Sequence, residues 1–143
     1  MDIRTLTPGL AVSPQLSPDD APAIAEAGFR TVICNRPDAE NPPELHAAAL
    51  RAAVEGAGLT FLELPFDSRT MTVEVIVRLR EMIAEAQEHG SVLAYCRTGT
   101  RCTNAWALGQ AGIMEPHEIV HAAAAAGYDI SGISHYLGQK ITL

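Results

Sequence analysis

The sequence is poor in positive charge and has no long apolar segment. Its 143 residues include 10 lysines and arginines against 17 acidic residues, a net charge of −7. Nucleic acids and anionic membranes both select a basic surface, so neither is an expected partner. No apolar run approaches the roughly 20 residues of a membrane-spanning helix, and the N-terminus has no apolar signal region. The sequence therefore indicates a cytoplasmic protein.

Cysteine is also scarce, and its three positions follow no disulfide framework. Cys34, Cys96 and Cys102 make an odd count, which is typical of a reducing compartment and of a thiol with a chemical role. Apolar residues make up 48% of the chain and charged residues 19%, an ordinary globular balance. The length suits one domain, so we expect residues 1–143 to form a single unit.

Predicted strands and helices alternate along the chain. The strands are expected at 10–12, 29–34, 59–64 and 92–95, and the helices at about 18–27, 43–55, 73–89, 101–111, 116–126 and 131–137. Short connections between strands and helices are typical of βαβ units. The pattern predicts a single-domain α/β fold with three αβα layers around a mostly parallel sheet of four or five strands.

The most informative stretch runs from the buried strand 92–95 into a short polar loop and then a helix. Cys96 begins the loop and Arg101 ends it, with four residues between them. Backbone N–H groups in such a loop form a nest for an anion, reinforced by the positive end of the helix. The same field lowers the pKa of a thiol, and the thiolate is the nucleophile. Besides Cys96 and Arg101, the expected anion-binding residues are Arg97, Thr98, Gly99, Thr100 and Cys102. A structural cysteine beside a polar turn is the less favoured interpretation.

Further polar residues follow the predicted strand 29–34. Arg36, Asp38 and Glu40 lie on a loop beyond its carboxyl end, the edge where open α/β sheets bind ligands. Arg36 is an even choice between binding an anion and fixing the loop. For Asp38 and Glu40 the structural interpretation is favoured.

The stretch from His117 to His121 matches the HExxH pattern of zinc proteases. A third ligand should follow, yet no glutamate occurs after Glu118. Chance explains the match better, so no metal and no cofactor are predicted.

Several of these segments together resemble a known family. Residues 30–33, 35–38 and 96–101, with Pro65 and the stretch 127–129, resemble the phosphatase-like domain of beta-lactamase-hydrolase-like proteins. The resemblance covers nearly the whole chain. It implies a fold like that of dual-specificity and tyrosine phosphatases, with a central sheet flanked by helices.

The resemblance also implies site residues. Cys96 matches the nucleophile and Arg101 the arginine that clasps phosphate, while Asp67 lies where these phosphatases often keep a general acid. An Asx-turn is an equally good explanation of Asp67. The implied function is a cysteine-dependent, phosphatase-like hydrolase that acts on a small anionic substrate.

Three departures from the phosphatase pattern leave a second function open. The loop has four residues where phosphatases have five, Tyr95 replaces the usual histidine, and Cys102 replaces the usual serine or threonine. Rhodanese-type sulfurtransferases hold a cysteine persulfide in loops of this length. The alternative is therefore a Cys96 persulfide in sulfide or persulfide metabolism. Cys102 would then resolve the persulfide or, as is favoured, simply pack in the helix, and Cys34 is expected in the core.

Overall fold

Five strands form one sheet at the centre of the protein. The computed structural model describes residues 1–143, and its strands are β1 (Arg4–Thr7), β2 (Leu10–Ser13), β3 (Phe29–Cys34), β4 (Thr60–Glu63) and β5 (Ser91–Tyr95). Their order across the sheet is β1-β2-β5-β3-β4. Only β1 runs antiparallel to its neighbour, β2, and the other pairings are parallel. The predicted, mostly parallel sheet is confirmed.

Helices cover both faces of the sheet. α1 (Ala21–Glu26) and α2 (Ala47–Gly56) pack on one face, and α3 (Val73–Gln87), α4 (Thr100–Gln110) and α5 (Pro116–Ala125) pack on the other. Short 3₁₀ helices span Pro18–Asp20, Asp38–Glu40, Pro43–Leu45 and Ser131–Tyr136. No helix is long and apolar enough to cross a membrane. The three αβα layers are those predicted.

The central strand β5 divides the core in two. Val92 and Ala94 point into the larger cluster beneath α3, α4 and α5, whereas Leu93 and Tyr95 point into the cluster beneath α1 and α2. Successive side chains of a strand face opposite sides of its sheet. All four are buried, which explains the continuous apolar run of this interior parallel strand.

The sequence analysis missed β1. This strand has four residues, and only Leu6 is both apolar and buried, so its local signal is weak. A tight turn joins it to β2, and Gly9 in that turn has a φ of 84°, which favours glycine. Pairing with β2 forms the strand, and that pairing is a tertiary property.

Two helices begin later than predicted. The segment predicted to start at residue 18 begins as a 3₁₀ helix, and α1 follows from Ala21. The helix predicted from residue 43 begins at Ala47, because Pro42 and His46 have extended backbone. The Asp38 carboxylate accepts a hydrogen bond from the Ala47 N–H at 2.8 Å and so caps α2.

Four loops meet at the carboxyl edge of the parallel strands. Backbone hydrogen bonds connect them: the Gln15 N–H donates to the Arg97 carbonyl, and the Phe66 N–H donates to the Asn35 carbonyl. These segments follow β2, β5, β4 and β3 respectively. The edge therefore gathers polar groups from distant parts of the chain.

Candidate active site

Cys96 lies buried where β5 ends and the polar loop begins. The Gly99 N–H donates a hydrogen bond to its Sγ at 3.1 Å. Its pKa is lowered to about 5, first by a hydrogen bond from the Cys102 thiol and then by the N–H groups of Cys102, Thr98 and Gly99, against the opposing effect of burial. Cys96 is therefore a thiolate at neutral pH.

Cys102 has the opposite protonation state. It is fully buried in the first turn of α4, and burial together with the neighbouring Cys96 raises its pKa well above the usual value for a thiol. Of the two thiols only Cys102 stays protonated, and its S–H donates a hydrogen bond to the Cys96 thiolate. This arrangement explains why a thiol suits the position where phosphatases have a hydroxyl.

The backbone of the loop is held from both sides. Gly99 has a φ of 90°, and α4 starts at the next residue, one earlier than predicted. The Tyr128 hydroxyl donates to the Thr98 carbonyl at 3.0 Å, and the Thr103 hydroxyl donates to the Gly99 carbonyl at 2.8 Å. A Cβ on Gly99 would collide with the Tyr128 hydroxyl. Only glycine fits here without displacing the loop.

Arg101 is held firmly at the end of the loop. Its Nη1 donates to Glu40 Oε2 and to the Phe66 carbonyl, both at 2.9 Å, and its Nη2 donates to Glu40 Oε1 at 2.5 Å. The Glu40 carboxylate raises the pKa of Arg101, and the Arg101 guanidinium lowers the pKa of Glu40. Three of the five N–H donors of the guanidinium are thereby used.

A second arginine supports the same carboxylate. Arg36 Nε donates to Glu40 Oε1 at 3.2 Å, and its Nη1 donates to Gln15 Oε1 at 3.2 Å. The Gln15 N–H in turn donates to the Arg97 carbonyl in the Cys96 loop. These contacts fix the loop, as one of the two interpretations of Arg36 expected, and binding of an anion by Arg36 stays a prediction.

Asp67 is bound within its own turn. Its Oδ1 accepts hydrogen bonds from the N–H groups of Arg69 and Thr70 at 2.8 and 3.1 Å and from the Thr70 hydroxyl at 3.2 Å. The Arg69 N–H is the main cause that holds its pKa below the usual value. These contacts are those of an Asx-turn, and the general-acid role stays a prediction.

The other candidates differ in exposure. Arg97, Thr98 and Thr100 are exposed on the loop, and the Thr98 hydroxyl donates to Thr100 Oγ1 at 2.9 Å. Cys34 is buried in the core cluster on the opposite face from Cys96, as expected for a core residue.

The HExxH stretch lies on α5 outside this site. Ile119 is fully buried, whereas His117 and His121 are exposed. The isoleucine therefore anchors the helix in the core, and the two histidines, four residues apart, face outward from the opposite side of the helix.

Sequence reasoning missed two contributions to the site. Glu40 was expected to be structural, yet it binds Arg101 across 61 positions. Tyr128 was not singled out, although it lies in the 127–129 stretch that carried the family resemblance, which was the available signal. Both act through side-chain contacts between elements far apart in sequence.

The protein combines this αβα fold with a buried thiolate below a glycine-containing loop and an arginine at the end of that loop. These features place it in the class of phosphatase-like hydrolases. The fold agrees with solved structures. The crystal structure of a Neisseria meningitidis protein assigned as a phosphatase matches with a TM-score of 0.84 and 38% identity, covering 96% of each chain. Tk-PTP in its active form matches with a TM-score of 0.74 at 18% identity, covering 95% of this chain and 92% of that one, a likeness of fold.

The family is equally clear. Residues 2–113 match the phosphatase-like domain of beta-lactamase hydrolase-like proteins, and the chain belongs to this family. A beta-lactamase hydrolase-like protein of Xylella fastidiosa is 33% identical over 142 residues, 98% of this chain and 32% of that protein. Its counterpart in Agrobacterium fabrum is 28% identical over 123 residues, 85% of this chain and 28% of that protein. The chain thus spans about a third of the length of these curated relatives, and the resemblance seen in the sequence is confirmed.

Proposed function

We propose that the protein hydrolyses small phosphomonoesters with Cys96 as the nucleophile. The observation that carries this proposal is the buried Cys96 thiolate, whose pKa of about 5 makes it fully ionised at neutral pH. It lies in a loop whose N–H groups and Arg101 are suited to the oxygens of a tetrahedral anion. A solved structure of TpbA, which is similar to this chain in fold alone, is a complex with phosphotyrosine, and this supports an aryl phosphate as the kind of substrate to test.

Arg101 is arranged to leave one edge of its guanidinium for the substrate. The Glu40 carboxylate accepts one hydrogen bond from each of the terminal nitrogens Nη1 and Nη2, and the Phe66 carbonyl accepts one from the second N–H of Nη1. The remaining donors are the Nε–H and the second Nη2–H, which lie side by side and match two oxygens of a phosphoryl group. Glu40 is thus a positioning residue.

The chemical step follows from these groups. The Cys96 thiolate attacks phosphorus, an S–P bond forms, and the P–O bond to the leaving group breaks. Water then hydrolyses the thiophosphate, which releases phosphate and restores the thiolate. The leaving oxygen needs a proton, and Asp67 supplies it only once the carboxyl has left its turn and become protonated. We therefore expect aryl phosphates, whose leaving groups need little protonation, to react faster than alkyl phosphates.

Sulfur transfer is the second candidate, favoured by the short loop and by the ionised Asp67. Here the Cys96 thiolate attacks the sulfane sulfur of thiosulfate, the S–S bond breaks, and sulfite leaves with the electron pair. An acceptor thiolate then takes the outer sulfur of the Cys96 persulfide. Neither step requires a general acid, so a carboxylate bound within its own turn is no disadvantage.

A paired assay on one preparation separates the two functions. We would measure p-nitrophenyl phosphate hydrolysis and thiosulfate-dependent sulfuration of a thiol, each for wild type, Cys96→Ser and the control Cys34→Ala. The Cys34 thiol lies in the other core cluster, so its loss should leave both rates intact. Phosphate release that depends on Cys96 supports the first function, and sulfuration alone supports the second. If Cys96→Ser retains the wild-type rate in both assays, the proposed nucleophile is wrong.

A further inference from the structure

A cavity of about 460 Å³ opens at the end of the sheet opposite Cys96. It is lined by Arg30 and Thr31 from the start of β3 and by Thr60 from the start of β4. The cavity extends along β4 to Leu62, which pairs with Ile33 of β3 and is its lining residue nearest to the catalytic edge. No residue of the Cys96 loop contributes to its wall.

The cavity results from the way α3 packs. β4 is the edge strand, and α3 lies against β5 and α4, so the edge of the sheet on this face is left partly uncovered. The helix presents one side to the cavity, with Arg78 and the residues four, seven and eight positions after it: Met82, Glu85 and Ala86. His89 joins the wall from the turn after the helix. Leu62, Met82 and Ala86 form an apolar floor.

Two arginines that line the cavity form no ion pair. Ion pairs with acidic groups occupy five other arginines: Arg4, Arg36, Arg51, Arg69 and Arg101. Arg30 and Arg78 take part in none of these pairs, and both line the cavity, which has Glu85 as its single acidic residue. In a chain with a net charge of −7, this local excess of cations is a distinct feature.

Contact with Gly90 determines the position of the Arg30 side chain. The methylene groups of Arg30 lie across Gly90, where a Cβ would overlap the arginine Cγ. Gly90 also has a φ of 136°, so both the backbone conformation and the close contact with Arg30 favour glycine at this position. Thr31, only 3% exposed, adds a hydroxyl to the wall beside it.

We propose that this cavity binds a small amphiphilic anion. A carboxylate, sulfonate or phosphate head group would lie between Arg30 and Arg78, since guanidinium forks bind such groups bidentately. The apolar body would rest on the floor formed by Leu62, Met82 and Ala86. The volume falls within the range of small-molecule sites, roughly 300–1,000 Å³. This proposal is independent of the reaction at Cys96.

Fluorescence titration with anilinonaphthalene sulfonate, and competition by decanoate, tests the proposal on the full chain. The double variant Arg30→Ala/Arg78→Ala should bind at least about tenfold more weakly, because it removes both guanidinium groups that would bind the head group. Glu85→Gln removes the repelling carboxylate and should tighten binding a few-fold. Lys140→Ala, which removes one positive charge outside the cavity, should leave the affinity unchanged.

A steric variant keeps the test decisive if the double variant does not fold. Thr60→Trp fills the cavity from the exposed start of β4 and should abolish competition by decanoate without altering charge. The proposal is overturned if wild type binds neither probe, or if the affinity is the same in wild type, Thr60→Trp and Glu85→Gln.

Discussion

Removal of the Cys102 thiol should raise the pKa of Cys96. The Cys96 thiol titrates near 5 against a reference of 9.0, a difference of about four pKa units, or about 5 kcal/mol in favour of the thiolate. The hydrogen bond from the Cys102 thiol is the first cause of this shift. A hydrogen bond to a charged group contributes roughly 1.5–3 kcal/mol, and S–H is a weak donor, so about one unit is the expected loss.

The variants Cys102→Ala and Cys102→Ser separate the hydrogen bond from simple packing. Alanine has no donor, and the midpoint of Cys96 alkylation by iodoacetamide against pH should rise by about one unit from its value near 5. Serine keeps an O–H donor at the same position, so its midpoint should stay at or below that of wild type. Mass analysis of the modified peptide distinguishes Cys96 from Cys34, whose pKa is raised by burial.

The same shift predicts how stability depends on pH. Since the folded pKa of Cys96 is lowered, the unfolded chain binds one more proton between about pH 5 and 9. The free energy of unfolding should therefore rise with pH across this window by up to about 1.4 kcal/mol per unit, relative to Cys96→Ser. The contribution is complete above the unfolded pKa and is lost as pH falls through 5. A wild-type alkylation midpoint near 9, or equal midpoints for Cys102→Ala and Cys102→Ser, would refute the reasoning.

Three further substitutions test the rest of the site. Glu40→Gln should lower kcat/KM for p-nitrophenyl phosphate by about 10- to 100-fold, because the charged hydrogen bonds of Glu40 position the Arg101 guanidinium. The control is Glu44→Gln, at an exposed acidic residue nearby, and equal rates for the two variants would contradict this role. Gly99→Ala should lower the free energy of unfolding, measured by thermal unfolding, by about 1–3 kcal/mol from backbone strain, with a further loss from the collision with Tyr128. Gly28 has a similar φ but open space around it, so Gly28→Ala should lower the stability less. Asp67→Asn should impair hydrolysis of alkyl phosphates by up to about 100-fold and spare sulfur transfer, and an equal loss of both would show that the residue is no general acid.

Local sequence patterns were sufficient for the elements with strong signals of their own. The apolar runs at 29–34 and 92–95 are observed as β3 and β5, because an interior parallel strand is buried on both faces. The helix predicted from residue 73 is observed as α3, and Thr72 caps it by accepting a hydrogen bond from the Val75 N–H at 3.3 Å. The helix starts predicted at residues 18 and 43 were misplaced by a few residues, since Pro and its neighbours admit both 3₁₀ and extended backbone, whereas α5 begins at Pro116 as predicted.

The sequence by itself thus determined the αβα architecture, the family, and the loop from Cys96 to Arg101, since each depends on residues close together in the chain. The tertiary structure decided which groups contact those residues and how far they are buried. Packing brings Glu40 to Arg101 across 61 positions, and Tyr128 to Thr98 across 30. The protonation of Cys96 depends on both levels: hydrogen bonds from Cys102, Thr98 and Gly99 in its own loop lower its pKa, and burial, which the fold imposes by excluding water, opposes them.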